Sequence, residues 1–361
     1  MDPMRRDPWL DNVKLTLVTL VVIGHSLGLL GASVLDLQIY DFIYFWHIPA
    51  FVLISGHLSK GFEWDKRHFS SLFTTIALPY LMFEPALYYF RRQIDQPEDG
   101  PLWLEPHWAM WYLCVLFFWR LATPLLKKHW VFVPIAVAVS LVGGMTDELL
   151  FCLPRILGLL PFFVLGLHLK REHLQRLTAW WIKPFAIAAL VWIFNYSANI
   201  DEWGRSAFLW YDQGYSALGY STGDAMEVRA RVMAIGLLGT ASVLALIPRR
   251  ASVLSRMGSA TMVVYLFHGF FVRYADYAGW LERWHDRQWL PLVVVTLAAI
   301  FLSLLLASPP VAKVLTWFVD PVGSVRRRLR LARGTRSLAR QREDDTRDRG
   351  RDRPRAGAGS R

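Results

Sequence analysis

A basic residue and a histidine share one face of the first apolar segment. Lys14 and His25 are separated by ten mostly apolar residues. An α-helix turns about 100° per residue, so both side chains fall on one face, about 16 Å apart along the axis. Asp11 is a helical neighbour of Lys14 on the same segment. Ionisable side chains inside a membrane helix are costly, so this pattern predicts a functional site.

The next two apolar segments carry a histidine and a glutamate at a matching depth. At about 1.5 Å per residue, His25 and Glu84 lie about 18–20 Å inside one surface, and His47 lies about 12 Å below the other. In a hydrocarbon core of about 30 Å, all three groups fall in one layer of the outer half. Two imidazoles and a carboxylate can pair there, and an imidazole suits a general base near neutral pH.

Some of these residues also have a simpler explanation. Lys14 can snorkel to lipid headgroups, and Glu84 can be a structural partner of Arg155 or of a histidine. A single intramembrane histidine such as His268 is as readily a hydrogen bond between packed helices. The matched depth of His25 and His47 favours a chemical role for that pair and leaves the other residues open.

The composition predicts an integral membrane protein. The chain has 361 residues, 54% of them hydrophobic, with a mean hydropathy of +0.28. A soluble domain has roughly 45–50% apolar residues, and the 17 Trp and 22 Phe fit aromatic membrane belts. The net charge of +11 comes mostly from short loops and an Arg-rich tail, so we expect no nucleic-acid partner. Cys114 and Cys152 lie in apolar runs, and no metal-ligand spacing is present.

Ten apolar segments near the ~20 residues that a bilayer requires predict an all-α, polytopic helix bundle. Their approximate limits are 13–31, 39–57, 71–90, 108–126, 130–146, 150–169, 178–197, 230–248, 259–280 and 288–308. Basic residues concentrate in every second loop, which places both termini in the cytoplasm and the protein in the cell membrane as a multi-pass chain. We therefore expect a transmembrane domain over 1–310 and a mostly disordered, Arg-rich cytoplasmic tail over 311–361.

Four sequence blocks resemble one family. Phe45-Trp46-His47-Ile48-Pro49-Ala50-Phe51, followed by Ser55-Gly56, resembles the aromatic-Phe-His-Met-Pro block of the acyltransferase 3 family of integral membrane O-acyltransferases. Lys14-x10-His25 resembles the Arg/Lys-x10-His motif of that family. The stretch 108–116 is similar to its Trp-rich fourth-span block, and Leu160-Pro161-Phe162-Phe163 to its Pro-Phe-Phe block. The likeness covers about residues 6–310 and is strongest to the branch related to fucose 4-O-acetylase. Trp and Ile replace the commoner Phe and Met of the second block, but its His and Pro are kept.

The resemblance implies transfer of an acyl group, commonly acetyl, from acyl-CoA to a hydroxyl group. The acceptor would be a sugar, a polysaccharide precursor, a lipid or a natural product. The expected partners also include the membrane lipids that surround the protein. It implies no permanently bound cofactor, because acetyl-CoA is the donor substrate, and it leaves the oligomeric state open. The expected catalytic residues are His25 as base or transient acyl acceptor, His47 as an orienting or protonating group, and Glu84. The expected donor- and substrate-binding residues are Lys14, which would attract the donor phosphates, and Asp11, Trp108, Trp111, Tyr112 and Arg155.

A proton-coupled transporter is the alternative reading of the same residues. It would use the histidine and glutamate layer as a proton relay. Transporters of this kind commonly contain internal repeats, and the sequence shows none. A non-catalytic membrane scaffold ranks below both hypotheses.

Overall fold

The structure is a computed structural model that describes residues 7–30, 34–96, 100–147, 149–280 and 289–329. Across these ranges the chain forms helices and turns with no β-strand, which confirms the all-α prediction. The α-helices are α1 Pro8–Leu27, α2 Val34–Ser59, α3 Lys66–Leu72, α4 Leu78–Gln93, α5 Trp111–Leu126, α6 Phe132–Gly143, α7 Leu153–Gly158, α8 Leu160–His168, α9 Arg171–Leu177, α10 Lys183–Ser197, α11 Ile200–Trp203, α12 Thr222–Leu246, α13 Val253–Met257, α14 Thr261–Tyr277, α15 Leu290–Ala307 and α16 Pro309–Val319.

Each predicted span overlaps a helix or consecutive helices among the described residues. Among the described residues, five helices are long and apolar enough to cross a membrane. They are Pro8–Leu27, Leu35–Ser59, Trp108–Leu126, Thr222–Leu246 and Leu290–Ala307. The number reaches seven when two pairs of helices, each bent by 57°, are counted as one span apiece. The count of ten spans and the cytoplasmic position of both termini stay predictions.

The first helix begins at a well-formed cap. The Asp7 carboxylate accepts a hydrogen bond from the Trp9 amide at 3.0 Å, and Pro8 occupies the first helical position, where its missing N–H costs nothing. Asp7 also pairs with Arg171 at 3.0 Å, which ties the start of α1 to α9. From this cap the helix continues without a break through Lys14 to His25, so both lie on one rigid element.

Helices α2 and α8 approach each other until their backbones touch. A Cβ added to Gly56 would lie 2.1 Å from the Phe163 carbonyl oxygen, and a Cβ added to Gly166 would lie 2.0 Å from the Leu53 carbonyl oxygen. Only glycine fits at either position, as in other close helix pairs of membrane proteins. This reciprocal contact fixes the position of the helix that carries His47.

Helix α12 packs on the part of α2 around Pro49, which precedes the contact with α8 along the chain. Pro49 has no amide N–H, so the Phe45 carbonyl one turn earlier lacks its usual helical partner. A Cβ on Gly236 of α12 would lie 2.8 Å from that oxygen, and the Thr240 hydroxyl donates to the Trp46 carbonyl at 3.4 Å. Helix α2 continues through Pro49 and is held there by α12.

The helical part of the chain extends beyond the boundary predicted at residue 310. Helix α16 packs against α14 and α15, with the Phe318 ring 6.5 Å from the Phe267 ring. Residues 321–329 are also helical. The rest of the predicted tail, 330–361, lies outside the described residues.

Candidate functional site

Helices α1, α2, α5 and α14 line two separate cavities. The larger, which we call the histidine cavity, has a volume of about 470 Å³. Its polar lining comprises His25, His47, Arg155, Asp212 and Arg273. Its aromatic lining comprises Tyr40, Tyr44, Trp108, Trp111 and Trp210. The smaller, the lysine pocket, has a volume of about 240 Å³ and is lined by residues that include Lys14, Leu17, Phe51, Ser55, Tyr112 and Tyr265.

His25 lies partly buried at the wall of the histidine cavity. Its ring centroid is 4.4 Å from that of Trp108 and 5.4 Å from that of His268. Within the described residues, these ring contacts rather than hydrogen bonds hold the imidazole. Its nitrogens can therefore bind a ligand in the cavity.

His47 lines the same cavity and is almost completely buried. Its Nδ1 donates a hydrogen bond to the Ile43 carbonyl oxygen at 2.8 Å. A carbonyl can only accept, so the proton sits on Nδ1, and Nε2 of the neutral ring is an acceptor. The Tyr44 ring packs edge-on against it, with centroids 4.6 Å apart. The structure thus brings both predicted histidines to one cavity.

Glu84 lies elsewhere, and its partner is a different histidine. The fully buried Glu84 carboxylate accepts a hydrogen bond from the His107 backbone N–H at 3.0 Å and also pairs with Nδ1 of the His107 ring. It pairs with none of His25, His47 and Arg155, so the predicted layer holds two histidines without the glutamate. Glu84 lies at the same predicted depth as His25 and His47, but depth along a helix does not determine the direction in which a side chain points.

The pairing of Glu84 holds the residue that contacts His25. Trp108 follows His107 in the chain and adopts a left-handed backbone conformation with φ 47°, which is uncommon for a non-glycine residue. Its indole reaches the α14 backbone so closely that a Cβ on Gly269 would lie 2.5 Å from the ring. Glu84 is therefore placed to position Trp108 against His25.

The predicted binding residues are divided between the two cavities. Trp108, Trp111 and Arg155 line the histidine cavity, whereas Lys14 and Tyr112 line the lysine pocket. There the Tyr112 hydroxyl forms a hydrogen bond with the Ser55 hydroxyl. Asp11 forms an ion pair with Lys14 at 2.6 Å and does not itself line either cavity.

Two arginines form part of the wall of the histidine cavity. Arg155 donates to the Trp210 carbonyl at 3.3 Å and to the Asp212 carboxylate at 3.0 Å, and its guanidinium lies 4.8 Å from the Trp111 ring centroid. The Arg273 guanidinium lies 4.8 Å from the Trp108 ring centroid. Each cation therefore stacks on an indole at the cavity wall.

Sequence reasoning missed six residues at this cavity or in contact with His25: Tyr40, Tyr44, Trp210, Asp212, His268 and Arg273. His268 was visible as an intramembrane histidine, and Arg273 as a cation near the end of the ninth segment. The structure adds that His268 Nδ1 donates to the Tyr265 carbonyl at 2.7 Å and that its ring packs beside His25. Trp210 and Asp212 belong to a long loop without a regular spacing of apolar residues, so nothing in the sequence indicated that they line a site.

A buried arginine supports that loop from behind. The Arg229 guanidinium on α12 lies 5.1 Å from the ring centroids of both Tyr211 and Tyr215. Tyr211 adopts φ 54° between the two cavity residues Trp210 and Asp212. The two aromatic contacts of Arg229 hold this turn, while Arg155 holds it from the cavity side.

Taken over the described ranges, the chain contains no cluster of three or more His, Cys, Asp or Glu side chains that could hold a metal ion. The side chains that line the histidine cavity carry imidazoles, guanidinium groups, a carboxylate, hydroxyls and indoles.

These features define a polytopic helical membrane protein with a polar, aromatic cavity inside its bundle. A family model described as an acyltransferase domain matches residues 7–308. The chain accordingly belongs to the acyltransferase 3 family of membrane acyltransferases, as the sequence blocks predicted. No curated protein and no solved structure matches the chain. Membership of this family favours an acyltransferase over the transporter alternative.

Proposed function

We propose that the protein is an O-acyltransferase that moves an acyl group, with acetyl favoured, from acyl-CoA to a hydroxyl of a carbohydrate, lipid or other small acceptor. The observation that carries the proposal is the placing of two cavities on the same four helices. One cavity holds two histidines, and the other has Lys14, which lies about three turns from His25 along α1. A two-substrate transfer requires such a pair of neighbouring sites.

The lysine pocket suits the donor. Its walls are mostly apolar, and Lys14 remains partly exposed while paired to Asp11. A thioester arm can pack against the apolar walls while the ammonium group attracts the phosphates of the donor. The ion pair with Asp11 orients the lysine side chain.

The histidine cavity suits the acceptor and the chemical step. His25 removes the proton of the acceptor hydroxyl as the oxygen attacks the thioester carbonyl carbon. The tetrahedral oxyanion collapses, the carbon–sulfur bond breaks, and the departing CoA thiolate takes the proton from the His25 imidazolium. His47, whose Nε2 is an acceptor, orients the hydroxyl, and N–H donors of the cavity stabilise the oxyanion.

Three aromatic side chains, Phe51, Tyr112 and Tyr265, line the lysine pocket and not the histidine cavity, and we take this layer as the boundary between the two. Tyr112 packs edge-on against Phe51, with centroids 5.0 Å apart, and its ring lies 5.9 Å from that of Tyr265. The Tyr265 hydroxyl donates to the Ala109 carbonyl oxygen. For the thioester to reach His25, this layer must open, so transfer requires a movement of these three side chains.

The test is acetyl transfer by the purified full-length chain. Radiolabelled acetyl-CoA is supplied with panels of carbohydrate and lipid acceptors, and both labelled ester and released CoA are measured. We expect ester formation that is lost in His25→Ala and kept in His129→Ala, an exposed histidine outside both cavities. CoA-independent proton flux in proteoliposomes, with no ester from any acceptor, would refute the proposal.

A further inference from the structure

Arg120 lies on α5, on the same helix face as two residues of the lysine pocket. Tyr112 and Leu116 line the pocket and precede Arg120 by eight and four residues, so the three side chains share one face. Resting on the proposed function, we propose that Arg120 binds the diphosphate of the acyl-CoA donor together with Lys14. The ligand is then a disubstituted diphosphate that is joined to a largely uncharged arm.

A series of hydroxyl contacts connects Arg120 to the wall of the lysine pocket. Its Nε donates to the Ser59 hydroxyl at 3.3 Å, and that hydroxyl donates to the Ser55 carbonyl oxygen at 2.7 Å. Ser55 lines the pocket, and its own hydroxyl forms a hydrogen bond with that of Tyr112. Within the described part of the chain, the two Nη groups of Arg120 make no hydrogen bond. They therefore keep their N–H donors for a ligand.

The charge of Arg120 is not offset by a carboxylate among the described residues. Arg120 is half-buried, forms no ion pair there, and has no Asp or Glu close enough to interact with it electrostatically. Asp11 pairs with Lys14 at 2.6 Å, so Lys14, Asp11 and Arg120 together carry one net positive charge. Partial burial strengthens the attraction of such a cation for an anionic ligand.

Lys14 and Arg120 lie at similar distances from the histidine cavity. Lys14 is about 16 Å from His25 along α1, and Arg120 is about 14 Å from Trp111 along α5. Both cations therefore lie toward the end of the bundle that is remote from His25. In acyl-CoA the thioester and the diphosphate stand at opposite ends of the pantetheine arm. An arm that fills the apolar pocket places the diphosphate at the cations and directs the thioester toward His25.

The diphosphate is the phosphate group that is joined directly to the pantetheine arm, whereas the 3′-phosphate is on the ribose beyond it. The edge of a guanidinium group matches two phosphate oxygens, and the ammonium group of Lys14 adds a point charge beside it. A lipid headgroup offers the same phosphate chemistry to an arginine near a membrane surface. The experiment therefore follows both kinds of ligand.

The experiment titrates the purified full-length chain with CoA, dephospho-CoA and pantetheine and follows the heat of binding. CoA has both phosphate groups, dephospho-CoA has only the diphosphate, and pantetheine has neither. We expect Arg120→Gln to weaken the binding of CoA and of dephospho-CoA alike, by about tenfold, and to leave that of pantetheine unchanged. Arg120→Lys should retain part of the affinity, because it keeps the charge and loses the contact with two oxygens.

Arg205→Gln is the matched control. Arg205 stacks on Tyr220 at 5.7 Å and lines neither cavity, so this variant should bind all three probes as wild type does. An unchanged melting temperature and an unchanged affinity for pantetheine would show that Arg120→Gln is folded. Equal affinity of Arg120→Gln and wild type for dephospho-CoA would overturn the proposal, whether or not the affinity for CoA falls.

Binding of a lipid headgroup by Arg120 predicts a different result. Phosphatidylglycerol retained by the purified chain is counted by mass spectrometry, and we expect the same amount on wild type and on Arg120→Gln. Loss of this lipid from the variant, with unchanged affinity for dephospho-CoA, would assign the guanidinium group to a headgroup and overturn the proposal. CoA binding that depends on Arg120, without ester formation from any acceptor, would instead contradict the proposed function alone.

Discussion

The histidine cavity and the lysine pocket are built on the same four helices and yet differ in chemistry. The first has two histidines, two arginines and five aromatic rings, whereas the second is mostly apolar with one ammonium group. The first also draws residues from α7 and from the loop around Trp210 and Asp212, whereas the second is lined by α1, α2, α5, α14 and the short segment that leads into α14.

This difference shows how the fold divides its tasks. Regular helix faces supply an apolar slot, because side chains at 3- and 4-residue spacing form a continuous surface. A cavity that must aim several polar groups at one point recruits irregular segments, here the turn at Trp108 and the turn at Tyr211. Both turns are fixed from outside the cavity, by Glu84 and by Arg229 respectively.

Removing the imidazole of His25 is the strongest test of the division of tasks between the two cavities. His25→Ala should lower acyl transfer by at least the ~10²–10⁴-fold typical of losing a general base. Thermal stability should stay close to that of wild type, because one partly exposed ring is lost. A folded His25→Ala protein that transfers acetyl within a few-fold of wild type would show that chemistry does not depend on this cavity.

The next largest effect should come from the anchor behind the histidine cavity. Glu84→Ala leaves His107 buried without its partner, and removing one member of a buried pair typically costs about 3–5 kcal/mol. We expect a lower melting temperature and a turnover loss that follows from displacement of Trp108. Glu63→Ala is the control, since Glu63 is exposed and pairs with Lys127 near the protein surface. If Glu84→Ala is as stable as wild type, the turn at Trp108 does not depend on the pairing of Glu84 with His107.

A smaller effect should mark the lysine pocket. Lys14→Ala should raise the apparent KM for acyl-CoA about tenfold with little change in kcat, because it removes one charge contact to the donor. Lys14→Arg keeps the charge and should be mild. Steady-state kinetics with varied acyl-CoA measures both. A fall in kcat at constant KM would instead place Lys14 in the transition state, and the division between the two cavities would fail.

The smallest effect should come from the tail, 330–361, which lies outside the described residues. Deleting 330–361 should leave thermal stability and turnover nearly unchanged, because this Arg-, Asp- and Gly-rich stretch has too little apolar sequence to form a core. Melting curves and transfer rates of the shortened chain test this. Loss of folded protein would show that the tail docks on the bundle.

The sequence predicted the helices and the two histidines because both rest on spacing along one chain. Hydrophobic length located each helix, and depth counted from each end brought His25 and His47 to one cavity. Glu84 satisfied the same depth rule but pairs with His107. Depth is one coordinate, and the direction in which a helix faces depends on its neighbours.

The cavity residues that the sequence did not predict were missed for a different reason. Trp210 and Asp212 belong to a loop that is held between Arg155 and Arg229. Arg155 lies 55 positions from Trp210 in the sequence, and Arg229 lies on another helix. His268 was noticed but could not be assigned, because its neighbour His25 is on a helix far away in sequence. Such tertiary contacts leave no periodic trace in a single sequence.

The glycine contact between α2 and α8 has a mechanical consequence. At Gly56 and Gly166 the two backbones meet with no side chain between them, so no rotamer change can loosen or slide this contact. We expect α2 and α8 to move together as one rigid unit, and His47 on α2 belongs to that unit. An opening between the lysine pocket and the histidine cavity must therefore be hinged on the other wall, where Tyr112 on α5 and Tyr265 on α14 can swing without unseating His47.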